Sequence, residues 1–212
     1  MDAEQLIEDM QSDIARYIDD TEIVERVRAG EINRERLQRL VTAEFYCQEA
    51  EFPTYGLLIG SHRHEAPAQL FGFTLYTVAK ARRLLRPAIQ AVGLRPEDLN
   101  VAAAGRLGHA VSLPALLTGP GEAALYLLTD LAVWCPVFAG LADVARGVDL
   151  VPEEVVDYLD SWGSEPPSEV TDGTAEVLTY ALAQGENPDR ILETARQVER
   201  SSAAYWDYVL RR

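Results

Sequence analysis

Cys135 lies in Leu131-Ala132-Val133-Trp134-Cys135-Pro136-Val137-Phe138-Ala139-Gly140-Leu141-Ala142-Asp143, a stretch that is almost wholly apolar. A cysteine thiolate is a nucleophile. A proline directly after it removes a backbone donor and, in a helix, calls for a kink. A bent, buried helix carrying a thiol at its bend makes a wall for a small pocket. The same residues also fit a plain core position, because free cysteine is among the most buried residue types.

A second stretch, Glu44-Phe45-Tyr46-Cys47-Gln48-Glu49-Ala50-Glu51-Phe52, carries three acids. On a helix Phe45, Glu49 and Phe52 share one face, and Glu44, Cys47, Gln48 and Glu51 share another. An acid between two aromatics on an inward face is costly unless it is hydrogen-bonded or functional. That consideration nominates Glu49, with an edge position reaching water as the structural alternative. Near the C-terminus, Ser201-Ser202-Ala203-Ala204 precedes Tyr205-Trp206-Asp207-Tyr208. Such a face of small residues beside bulky aromatics packs on a neighbour or leaves room for a ligand.

The histidines do not extend this chemistry. His62 and His64 are two apart, His109 is distant, and no Glu-x-x-His or His-x-x-x-His spacing occurs. Helical di-iron sites draw on Glu-x-x-His pairs from several helices. No metal and no other cofactor is therefore expected.

The elements that must position these residues are helices, because apolar residues recur at three- and four-residue spacings nearly everywhere and strict alternation is missing. Leu6, Ile7, Met10, Ile14 and Ile18 stripe a first helix, and a short piece spans Ile23 to Val27. A long region starts at the N-cap candidate Asn33, with Pro53 as its expected kink or break, and another helix runs from Pro67 to Val92 with Gly93 as C-cap. Arg95-Pro96-Glu97-Asp98 starts a helix through His109 to Leu117, and Gly119-Pro120-Gly121 turns into the Cys135 helix, which ends near Gly147. A shorter helix spans Pro152 to Trp162, Gly163 to Ser168 is a loop, and two helices close the chain, Ser168 to Ala183 and Pro188 to Val209. The expected fold class is all-α, one compact bundle of seven or eight helices over residues 1–212.

Composition limits the partners. A net charge of -15 opposes the phosphate-neutralising surface that nucleic-acid binding needs. The basic set is eighteen arginines and Lys80 alone. Two cysteines far apart imply neither a disulfide framework nor a metal finger. The N-terminus has no basic region leading into an apolar core, and no run of about eighteen uninterrupted apolar residues occurs. A soluble cytoplasmic protein with no nucleic-acid or membrane partner is expected, with Leu57-Leu58-Ile59 available for a homo-oligomer interface.

Taken together, the helix order, the Phe45-to-Leu58 stretch with Gln48-Glu49, the apolar Cys135 helix and the terminal Tyr205-Trp206-Asp207-Tyr208 resemble the TenA/thiaminase II family. That family shares the heme-oxygenase-like helical fold with PqqC. The resemblance implies cleavage or deamination of thiamine-derived aminopyrimidines, with Cys135 in the place of the nucleophile and Glu49 where the family has a ring-holding aspartate after glutamine. Phe52 stands where a tyrosine is usual, and Tyr205 takes the aromatic place before Trp206. Ser202 falls at the last-helix glutamate, with Glu199 almost a turn earlier, and Ala139 replaces a tyrosine.

The leading expectation is a TenA-like hydrolase acting on a small nitrogen-containing heteroaromatic compound. Cys135, Glu49 and Glu199 are its candidate catalytic residues, and Phe45, Phe52, Trp134, Ser202, Tyr205 and Trp206 its candidate binding residues. One alternative is a heme-oxygenase-like non-heme iron or cofactorless oxidase of specialised metabolism. Another is a ligand-binding or regulatory protein that has lost catalysis.

Overall fold

The computed structural model describes residues 1–99 and 119–210. Among them all regular structure is helical: α1 (Ala3–Asp19), α2 (Ile23–Arg28), α3 (Arg34–Ser61), α4 (Glu65–Ala91), a 3-10 turn (Pro96–Asp98), α5 (Pro120–Ala145), α6 (Glu153–Asp160), α7 (Ser168–Ala183), α8 (Pro188–Ala195) and α9 (Val198–Leu210). The expected helix through His109 to Leu117 lies outside the described residues.

Local chemistry sets most boundaries. Asn33 and Asn187 cap α3 and α8, their side-chain oxygens accepting from Arg36 N and Asp189 N at 2.9 Å. Gly93, at φ +81°, ends α4 while the Leu94 N–H reaches back to Ile89 O at 3.1 Å. No side chain of its own caps α5. The Glu186 carboxylate fills that role, accepting from the backbone N–H of Gly121 at 3.1 Å and of Glu122 at 3.3 Å.

Two expectations about breaks are corrected. Of the kink or break expected at Pro53, the break does not occur: α3 runs without interruption through Pro53, as α5 does through Pro136, and each proline removes one hydrogen bond without ending its helix. The break falls instead inside the expected Pro188-to-Val209 helix, which divides at Arg196 and Gln197 into α8 and α9. The junction tightens, with Gln197 N bonded to Thr194 O at 3.0 Å and Glu199 N to Arg196 O at 3.3 Å. Side chains on the α8 side anchor it: Thr194 donates to Glu122 on α5 at 2.7 Å, and Arg196 to Asp13 on α1 at 2.9 Å. That frees α9 to turn along α3.

α5 is the axis of the bundle, packed by α1, α2, α6, α7 and α8, while α3 and α4 form a long antiparallel pair beside it. α5 is also long and apolar enough to cross a membrane by length and composition alone, but 78% of that stretch is buried against the other helices. Its apolar character is therefore used internally. Within Leu57-Leu58-Ile59, Leu58 is in the core and Leu57 stands exposed.

Candidate functional site

One face of α3 carries Leu37, Leu40, Val41, Glu44, Cys47, Gln48 and Leu58 at helical spacing, all buried. Its middle turns open onto a cavity of about 100 Å³, the order of size that holds one small ring. α3 supplies Glu44, Cys47, Glu51 and Tyr55 to this cavity, and α5 supplies Asp130, Trp134, Cys135 and Phe138. α4 closes a third side with Phe73, Thr74, Thr77 and Val78. Trp162 after α6 and Tyr205 of α9 complete the wall. The hydroxyls of Thr74 and Thr77 donate to Leu70 O and Phe73 O of their own helix, at 2.9 and 3.1 Å. With those donors turned away, the α4 wall is largely apolar.

Three carboxyl groups meet there, Glu44, Glu51 and Asp130, and among the described lining residues there is no lysine, arginine or histidine. Their surroundings differ. Glu44 accepts from two phenol hydroxyls, Tyr205 Oη at 2.6 Å on Oε1 and Tyr158 Oη on Oε2. Tyr158 in turn accepts from Gln48 Nε2 at 2.7 Å. Asp130 accepts from Trp134 Nε1 at 2.9 Å. Glu51 has no hydrogen-bond partner among the described residues and points its chemistry at the cavity.

Electrostatics follow from this setting. Burial pushes the Glu44 carboxyl up to about 7 against the pull of its two tyrosines, and burial with Glu44 nearby pushes Asp130 to about 7 as well. Glu51 is raised by burial and by the charges of Asp130 and Glu44. Carboxyl groups tuned toward neutrality can both give and accept protons at physiological pH. The thiols move the other way for reactivity: burial, helped by Asp130, pushes Cys135 up to about 12, and burial raises Cys47 too. Cys135 therefore rests as a thiol.

Of the residues nominated from sequence, Trp134, Cys135 and Tyr205 line this cavity. Glu49 does not: it sits on the opposite side of α3, paired with the Arg82 guanidinium, in an outer groove with Phe45. Phe52 is 39% exposed, with the Arg82 guanidinium 5.1 Å from its ring centre. The helix face taken as inward is thus the outward one. Glu199 is half-exposed and pairs with Arg16 at 2.7 Å, a surface ion pair. Ser202 and Trp206 line a separate recess with Tyr17, Asp20 and Glu199, because residues four apart share a face of α9 that Tyr205 does not occupy. The indole of Trp206 still reaches Trp134, ring centres 5.5 Å apart.

Sequence reasoning did not nominate Glu44, Glu51, Tyr55 or Asp130, which line the cavity, nor Tyr158, which bonds to Glu44. A signal existed for three of them. The buried stripe from Leu37 to Leu58 passes through Glu44 and Glu51, and Asp130 is a lone acid between Leu128 and Leu131 in the most apolar helix. Among the described residues no group of three or more His, Cys, Asp or Glu is arranged to hold a metal ion. His64 is occupied otherwise, capping α4 through Ala66 N at 3.3 Å and stacking on Tyr180 with ring centres 3.9 Å apart. Compared with known proteins, the chain matches no family model and no curated protein sequence.

Proposed function

We propose that the protein is a TenA-like enzyme of heme-oxygenase-like fold, which binds a small nitrogen-containing heteroaromatic compound in the cavity between α3, α4 and α5 and cleaves it hydrolytically. The observation that carries this reading is the convergence of Glu44, Glu51 and Asp130 on an aromatic-walled cavity that also holds Cys135 and has no lining cation. Three acids without a counter-charge favour an occupant rich in N–H donors or positively charged. A flat heterocycle with amino substituents meets both the acids and the rings of Trp134, Phe138 and Trp162. The ring-holding role expected of Glu49 passes in this reading to the cavity carboxyls, and so does the proton transfer expected of Glu199.

The chemistry divides accordingly. A cavity carboxylate accepts the Cys135 proton as its sulfur attacks an electrophilic ring or exocyclic carbon, and returns that proton to the departing amine. Water then releases the product. Substrate entry as a cation lowers the energy of the neighbouring carboxylates, so the acid–base groups are set by the ligand itself. Two buried, unbridged cysteines suit a reducing cytoplasm, and the exposed Leu57 is available to a homo-oligomer contact.

A second reading, ligand binding without turnover, is favoured by one observation, the resting thiol state of Cys135. Incubation with aminopyrimidines and assay for released ammonia or amine separates the two. Product formed by the wild type and lost in Cys135→Ala supports the enzyme. Binding with no product from any of them supports the binding protein, and product undiminished in Cys135→Ala overturns the assignment of the thiol.

A further inference from the structure

We infer that the carboxyl groups of the cavity have separate duties: Glu44 is the group that takes up and gives back a proton, through a reversible hydrogen-bond chain with Tyr158 and Gln48, whereas Asp130 stays an ionised anchor.

The distinction lies in what each partner can do. Asp130 is met by Trp134 Nε1 at 2.9 Å, and an indole N–H only donates. Were Asp130 protonated, its carbonyl oxygen would keep this bond, but its new O–H would find no acceptor in this partner. Glu44 is met by hydroxyls, which donate and accept with equal ease. When Glu44 is ionised, the chain runs from Gln48 Nε2 to Tyr158 Oη at 2.7 Å, and from the Tyr158 hydroxyl to Glu44 Oε2. When Glu44 carries a proton, the same atoms pair in reverse. Glu44 donates to Tyr158, and Tyr158 turns its hydroxyl toward the Gln48 amide.

Gln48 is built for both directions. It is 2% exposed, and its Oε1 has no hydrogen-bond partner among the described residues. Rotation of the amide by half a turn presents that oxygen to Tyr158 in place of the N–H. Each direction leaves one end of the amide unpaired, so neither is locked. No covalent bond other than that of the incoming proton changes. The titratable groups facing Glu44 are Cys47 and Glu51 from α3, Asp130 from α5, Tyr158 from α6 and Tyr205 from α9. The tyrosines and Cys47 are held neutral at physiological pH, each raised above its ordinary range, so the proton that comes and goes belongs to a carboxyl group. Glu51 has no partner to assist it in either state.

Tyr158 and Gln48 are thus positioning residues that act through Glu44. The consequence for catalysis rests on the proposed ligand reading, but the test does not, since it uses the unliganded protein. The titration of Glu44 is followed by carbon NMR of selectively glutamate-labelled chain, assigned with Glu44→Gln, in wild type, Tyr158→Phe and Gln48→Leu. Tyr158→Phe removes a donor to the carboxylate and raises the Glu44 midpoint by about one pH unit. Gln48→Leu is the discriminating variant. Gln48→Leu removes a donor to Tyr158 from the ionised state and an acceptor from the protonated state, so in a reversible chain the two losses offset and the midpoint stays close to wild type. If Gln48 merely strengthens a fixed Tyr158 donor, its loss weakens the carboxylate's support alone and the midpoint rises. A rise with Gln48→Leu overturns the inference. So does a neutral-range titration found on aspartate-labelled protein and abolished by Asp130→Asn, with Glu44 silent.

Discussion

Glu44 and Glu49 lie five residues apart on one helix, and they have almost nothing in common physically. Glu49 meets the Arg82 guanidinium in a partly exposed groove, with a counter-charge directly at hand. Glu44 is 5% exposed, meets only phenol hydroxyls, and shares its surroundings with two further carboxyl groups. The side-chain type is the same, and the face of α3 decides the surroundings of each. An acid with a cation at hand is neutralised where it stands. An acid without one is a standing cost that a ligand can relieve.

The sharpest contrast is expected in turnover. Cys135→Ala, in the wall of the cavity, lowers the rate of product release from an aminopyrimidine by at least about 10³-fold. Glu49→Gln, on the far face, leaves that rate within about twofold in the same assay, because it removes only a surface ion pair.

Stability gives the next largest difference, and it has a pH signature. The Glu44 carboxyl rises from 4.5 in an exposed chain to about 7 in the fold. Between these values the folded protein holds more protons than the unfolded one, so its stability is full below the lower value and is lost as pH rises through the upper one. For Glu44 the loss amounts to about 3 kcal/mol. Denaturant titrations at a series of pH values should show the wild type weakening across this window and Glu44→Gln weakening less. Glu49→Gln should track the wild type throughout.

Ligand affinity follows. Glu51→Gln and Asp130→Asn each weaken binding of a cationic heteroaromatic compound by about tenfold to a hundredfold, the range for charge-assisted hydrogen bonds, as measured by calorimetry. The smallest effect belongs to Arg82→Ala, which strips the outer pair and its contact with Phe52 at a cost of about 1 kcal/mol or less in thermal unfolding.

How far the sequence carried these conclusions can be seen in particular residues. Asn33, Gly93 and Asn187 announced their helix ends because caps are local chemistry, readable within a turn of the chain. Pro53 does not break α3 because a helix held on several sides tolerates the loss of one hydrogen bond, and the strength of that hold is set by distant segments. The jog at Arg196 and Gln197 depends on Asp13 and Glu122, far away in sequence. For the site, Cys135, Trp134 and Tyr205 were within reach because a thiol in an apolar helix and a terminal aromatic pair stand out locally. The pairing of Tyr158 with Glu44 spans 114 positions and carries no local mark. The faces of α3 were both recognised, and the one nominated, because Glu49 between aromatics looks anomalous, is not the one that lines the cavity. The longer stripe from Leu37 to Leu58 outweighs it.

The central claim is that the cavity carboxylates, and not the outer acid, receive the ligand. Isothermal calorimetry with one aminopyrimidine on wild type, Glu51→Gln and Glu49→Gln tests it most directly. Binding to wild type and Glu49→Gln alike is expected, with a loss of about tenfold or more in Glu51→Gln. Equal affinity in all three proteins, or a loss confined to Glu49→Gln, would contradict it.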